Sequence, residues 1–150
     1  MLVDAVLAYL HYIAILMLFS FMVAEVVLMR GTLDLERVLL LGRIDIWYFG
    51  SAGAALFTGF LRLGLGAKGA SFYTDHWPLY AKIGLFLVVG LVSIKPTLTF
   101  IRWKRMMERD PAWRVPEDER RTVRKILMAE VHLAALIPVL AVMMARGLGR

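Results

Sequence analysis

Residues 78–101, PLYAKIGLFLVVGLVSIKPTLTFI, decide the fold. The run is apolar over the roughly 20 residues that a helix needs to cross hydrocarbon at about 1.5 Å per residue. Lys82 nevertheless stands about one helical turn inside it, with no acidic residue nearby in sequence. A membrane segment that tolerates a cation at that depth must hydrate, pair or neutralise it.

Three other stretches, at about 5–29, 45–65 and 123–145, have the same length and character. With 60% hydrophobic residues and a mean hydropathy of +0.68, the chain is far more apolar than a soluble domain of 150 residues. The expected fold is all-α: an integral membrane four-helix bundle forming a single four-span domain over 1–150. No internal repeat, low-complexity linker or shift in composition marks a second domain. The first apolar stretch lacks a basic leading region and a small-residue cleavage site, so it is expected to remain as a membrane helix. The absence of cysteine excludes disulfides, thiolate metal sites, iron–sulfur clusters and covalently attached c-type haem, but not b-type haem.

The connections set the topology. Thr32–Leu41, with acidic residues at its start and Gly42 after it, reads as a short helix lying at the interface, separate from the second span. Asp110 and Pro111 break the chain after the third span. Pro116 followed by Glu117, Asp118 and Glu119 then opens the fourth helix outside the membrane. The first connection carries three Lys or Arg residues and the third carries nine, against two in the second and two in the C-terminal tail. The positive-inside rule therefore puts the first and third connections in the cytoplasm and both termini on the outer, periplasmic side of a cell inner membrane. Most of the net charge of +6 is explained in this way, as a basic 102–125 anchor touching anionic lipid, and no nucleic-acid partner is needed. Trp47, Trp77 and Trp103, with Tyr48 and Tyr73, are expected at the membrane interfaces.

Ionisable groups inside the spans are the functional candidates. On helix one, Asp4, His11, Leu18 and Glu25 recur every seven residues and share an inward face. On helix three, Lys82, Phe86, Val89 and Ser93 share another, while Lys95 beside Pro96 is placed to snorkel. Depth sorts these groups into an outer layer with His11 and Lys82 and an inner layer with Glu25, Glu130, His132 and Lys95. A histidine and a lysine cannot satisfy each other as cations. A desolvated amine and an imidazole can, however, both bind a metal, so the outer layer is read as a haem ligand pair. The bland alternatives stay open: a hydrogen-bonded bundle histidine, a snorkelling lysine, and a Glu25–Glu130 or Glu25–His132 contact that fixes packing rather than a proton path. The belt Gly50-Ser51-Ala52-Gly53-Ala54-Ala55 would let a helix or a flat ligand approach closely, which adds Ser51 to the candidates. Arg62 and Lys68 could pair with porphyrin propionates.

The stretches YLHYIAILML (9–18) and HWPLYAKIGLFLVV (76–89), with the four-span count, resemble the HemJ-type membrane protoporphyrinogen oxidases. That resemblance implies binding of haem b by a first-helix histidine and a third-helix lysine, here His11 and Lys82. Over nearly the whole chain, RIDIWYFGSAGAALFTGFLRL (43–63), GAKGASFY (66–73), SIKPTLTFIRW (93–103) and MMARGLG (143–149) resemble an uncharacterised bacterial family of four-helix predicted membrane proteins. That family implies the fold and brings no established activity. The expected function is a b-type haem-binding redox or electron-transfer protein, with a quinone or another electron-transfer partner, self-associating through small-residue faces or serving as a subunit of a membrane complex. The alternative is a non-catalytic accessory subunit or a small transporter.

Overall fold

The computed structural model describes residues 2–65 and 74–148. Four helices account for nearly all of them: α1 (Leu2–Leu28), α2 (Leu35–Leu65), α3 (Trp77–Arg109) and α4 (Glu117–Ala145). Each is long and apolar enough to cross a membrane, so the fold is an all-α multi-pass bundle. At 27 to 33 residues, the helices are roughly 40–50 Å long and project beyond a hydrocarbon layer about 30 Å thick.

Four helix pairs pack against each other: α1–α2 and α3–α4 most extensively, α2–α3 and α1–α4 less so. The helices thus form a ring of two antiparallel hairpins, with α1 diagonally across from α3. The stripes that face inward are legible from helical spacing: Leu7, Ala14, Leu18, Met22 and Glu25 on α1, and Val38, Leu41, Asp45, Tyr48, Ser51, Ala55 and Thr58 on α2.

The α2 stripe corrects the expected interfacial helix. Asp34 does start a helix, its Oδ1 accepting the backbone N–H of Arg37 at 2.8 Å as an N-cap should. That helix does not stop at Gly42. Val38 and Leu41 lie on the same buried stripe as Asp45 and Tyr48, so burial carries the helix straight through the glycine into the second span. The chain turn before it is closed by Gly31, at φ +80°, and by the Arg37 guanidinium, which donates to the carbonyls of Arg30 (2.8 Å) and Thr32 (3.1 Å). Arg120 of α4 donates to the Gly31 carbonyl as well. These cations bind the carbonyls of the turn just beyond the C-terminus of α1, where the helix dipole also favours positive charge.

At this basic end, Met29, Leu33, Val38, Leu41, Phe100, Trp103, Met107, Val123 and Leu127 make one apolar cluster. Trp103 is fully buried, its Nε1–H donating to Glu119 at 2.9 Å, and Tyr48 is buried in a second cluster with Leu18, Met22, Val89 and Ala134. Both rings face the other helices rather than the outside of the bundle, and each has a polar partner there that satisfies its donor group. Trp47 and Trp77 are exposed. Tyr73 and Lys68 lie outside the described residues.

Candidate functional site

The face of α2 that looks into the bundle carries Asp45, Tyr48, Ser51, Ala55, Thr58 and, one turn on, Arg62. Seventeen residues at about 1.5 Å each make a column of roughly 25 Å, and the other helices add their polar groups at its two ends.

Nearer the termini, His11 of α1 packs against Thr58 and Gly59. A Cβ on Gly59 would sit 3.3 Å from His11 Cε1, so the glycine is what lets the ring approach α2 so closely. His11 Nδ1 lies 2.9 Å from Thr58 Oγ1. The single hydrogen of that hydroxyl is directed at the Ala54 carbonyl, 2.7 Å away. It follows that Nδ1–H donates and Thr58 accepts, which leaves the lone pair on Nε2. Lys82 of α3 is half-buried, and both it and Arg62 are close enough to act electrostatically on His11. Arg62 also sets its guanidinium 5.5 Å from the centre of the Tyr12 ring and keeps a buried Nε without a hydrogen-bond partner. Among the described residues, neither Arg62 nor Lys82 forms an ion pair. Two cations and a histidine with an available lone pair thus come together, and among the described residues no carboxylate pairs with them.

About 20 Å further along the helices, the charges are reversed. Glu25 of α1, Asp45 of α2 and Glu130 of α4 are 2%, 6% and 2% exposed. Glu25 feels the field of both other carboxyls, and Glu130 that of Asp45. Glu25 Oε1 and Glu130 Oε1 are buried with no hydrogen-bond partner. From α3, Thr97 Oγ1 lies 3.0 Å from Asp45 Oδ1, and Ser93 Oγ lies 3.0 Å from the Tyr48 hydroxyl.

The structure therefore brings His11, Lys82 and Arg62 into one neighbourhood, and Glu25 and Glu130 into another. Ser51 lies between them, buried, with its hydroxyl donated to the Trp47 carbonyl of its own helix. His132 stands apart: its Nδ1 is 2.6 Å from the Met128 carbonyl on its own helix. Two residues on a helix are about 200° apart, so His132 cannot share a face with Glu130. Lys95 is exposed and lines an outward groove of about 400 Å³ with Leu91, Leu98 and Arg102, far from the buried carboxyls' face of α3. Asp45, Thr58 and Thr97 were not among the candidates. The signal for Asp45 and Thr58 was the i, i+3, i+4 stripe from Asp45 through Tyr48, Ser51 and Ala55 to Thr58, which lies within the expected second span.

Among the described residues, no three His, Cys, Asp or Glu side chains converge as a metal-binding group. The family model described as "Predicted membrane protein (DUF2214)" matches residues 3–149. No curated protein and no solved structure matches the chain.

Proposed function

The chain belongs to the DUF2214 family of predicted membrane proteins, and from that premise we propose that it binds one b-type haem between α1 and α3, near the end that carries the termini, and serves redox or electron transfer. The observation that carries the reading is the His11–Thr58 contact. By accepting Nδ1–H, Thr58 holds the imidazole in the tautomer whose Nε2 can bind iron, the arrangement commonly found behind metal-ligating histidines. The neighbouring charges fit the same group. A haem brings two propionates, and Arg62, which forms no ion pair among the described residues, is the propionate partner; Lys82 as an uncharged amine is the second candidate ligand. Ser51 would face the same interior from α2. The looser contact between the two hairpins, compared with the contact within each, favours admission of a flat group along that seam.

Bound there, haem would supply one-electron chemistry, and the protein would supply ligation, orientation and a dry setting. The resemblance to HemJ-type protoporphyrinogen oxidases supports an oxidoreductase with a quinone as acceptor. The alternative, an accessory subunit of a larger membrane complex or a small transporter, takes the same fold without the cofactor. We place the basic end in the cytoplasm, the termini in the periplasm and the protein in the cell inner membrane, on the distribution of Lys and Arg. The apolar side chains exposed on every helix are suited to lipid and to a second copy of the chain.

The test is an absorption spectrum of detergent-purified protein made with haem available, oxidised and then reduced with dithionite. A Soret band with reduced α and β bands, lost in His11→Ala, is the expected result. A colourless but folded preparation overturns the proposal. Turnover of protoporphyrinogen with a quinone then separates an oxidase from an electron carrier.

A further inference from the structure

Three carboxyl groups from three different helices face one another near the middle of the bundle, and nothing in the haem reading uses them. Glu25, Asp45 and Glu130 are almost wholly removed from solvent. Among the described residues, no lysine, arginine or histidine forms an ion pair with any of them. From α1 and α4 the only ionisable groups facing this layer are Glu25 and Glu130 themselves. From α2 there are Asp45 and the Tyr48 phenol, while α3 contributes the neutral hydroxyls of Ser93 and Thr97. Lys95 and Arg43 are exposed, and Arg124 of α4 belongs to a cleft at the basic end with Arg120 and Arg121. Three full negative charges in a low-dielectric interior without a cation would cost several kcal/mol each.

Two further observations say what answers that charge. Among the described residues, the Oε1 atoms of Glu25 and Glu130 are buried with no hydrogen-bond partner. Thr97 Oγ1 lies 3.0 Å from both Asp45 Oδ1 and the Ser93 carbonyl oxygen. A hydroxyl has one hydrogen. Thr97 can give it to Asp45 Oδ1 or to the Ser93 carbonyl, so the Asp45 carboxyl receives at most one hydrogen bond from this hydroxyl, too little to answer a full buried charge. Among the described residues these three groups do not converge as a metal-binding set.

We propose that Glu25, Asp45 and Glu130 form an intramembrane proton-binding site that holds protons at neutral pH. Its exchange with water runs toward the end that carries the termini. On the other side Met29, Leu41 and Leu127, each three or four residues from one of the carboxyls along its own helix, close the site with Phe100 and Trp103. On the terminal side stands the Tyr48 hydroxyl, which feels the field of all three carboxyls. The Ser93 hydroxyl gives its hydrogen to the Val89 carbonyl at 2.8 Å, so Tyr48 donates to Ser93 and its own oxygen is free to accept from the acid layer. This site stands whether or not the bundle binds haem.

The experiment uses the full chain in nanodiscs at pH 7. A hydrophobic carbodiimide, which adds to protonated carboxyl groups and not to carboxylates, is followed by peptide mass mapping, and infrared spectra are compared in H2O and D2O. The expected results are adducts on Glu25 or Glu130, and a deuterium-shifted carboxylic acid carbonyl band that falls stepwise in Glu25→Gln and Glu130→Gln and disappears in the combined Glu25→Gln, Asp45→Asn, Glu130→Gln variant. The mapping reads the unmodified protein, so poor folding of a variant does not rescue the idea. Absence of both adduct and acid band at pH 7 overturns it. Protection from the carbodiimide by sodium or potassium at constant pH overturns it in favour of a metal-cation site.

Discussion

Thr58 is buried and has two jobs that one hydroxyl can do together: its hydrogen goes back to the Ala54 carbonyl, and its oxygen receives Nδ1–H of His11. Thr58→Val keeps the shape and removes both. The Ala54 carbonyl retains its helical partner, but Nδ1–H loses its acceptor. In a bundle interior an interhelical hydrogen bond contributes about 0.6–2 kcal/mol, so the variant should unfold at correspondingly lower denaturant in mixed micelles. A haem spectrum, where present, should shift with it, because the ring is no longer held in one tautomer. An unchanged midpoint would mean that the contact contributes no net stability. Gly59 works beside it by absence of a side chain. A methyl placed there meets His11 Cε1 at 3.3 Å, so Gly59→Ala forces the ring to move by a few tenths of an ångström.

The helix ends carry the predictions that belong to elements. Asp34 caps α2 through Arg37 N–H, and Asp34→Ala should cost about 1 kcal/mol of stability, read in the same unfolding assay. At the start of α4, the Arg120 and Arg121 guanidinium groups that hydrogen-bond Glu117, at 2.8 and 2.9 Å, hold its carboxyl down to about 2 from an ordinary 4.5. A carboxyl depressed in the folded state stabilises the fold above its unfolded value, and that contribution is lost as pH falls from about 4.5 through about 2. Wild type should therefore exceed Glu117→Gln in thermal stability above this window, and the two should converge below it. The carboxyl is fully exposed, so added salt should shrink the gap. A difference that persists at the acid end would assign the effect to something other than the ion pair.

At the scale of the whole molecule, charge placement and helix order make one testable statement about orientation. The chain has no cysteine, so single cysteines report without background. Asp75→Cys precedes α3 and Glu108→Cys lies near its far end, both exposed and at opposite ends of one helix. A membrane-impermeant maleimide added to intact cells that have a permeable outer membrane should label the first. The second should react only after the inner membrane is opened. The reverse pattern would turn the bundle over and move the half-buried Arg62 and Lys82 to the cytoplasmic side.

The number of spans, the chain breaks at Asp110 and Pro116, and the inward faces of α1 and α3 follow from hydrophobic length and period alone, because lipid rewards about 20 apolar residues whatever the neighbours are. The acidic start of the helix that follows the first connection was legible in the same local way. What the three-dimensional packing decided was which polar groups meet. Gly42 looked like a stop and is not one, since the buried stripe from Val38 to Thr58 holds α2 together through it. That continuity turns Asp45 toward Glu25 and Glu130, and Thr58 toward His11, while a 200° helical step takes His132 away from Glu130. A sequence records the spacing along each helix. The distances between helices depend on how α1–α2 and α3–α4 close into a ring, and those distances gather the carboxyls in one layer and the cations in another.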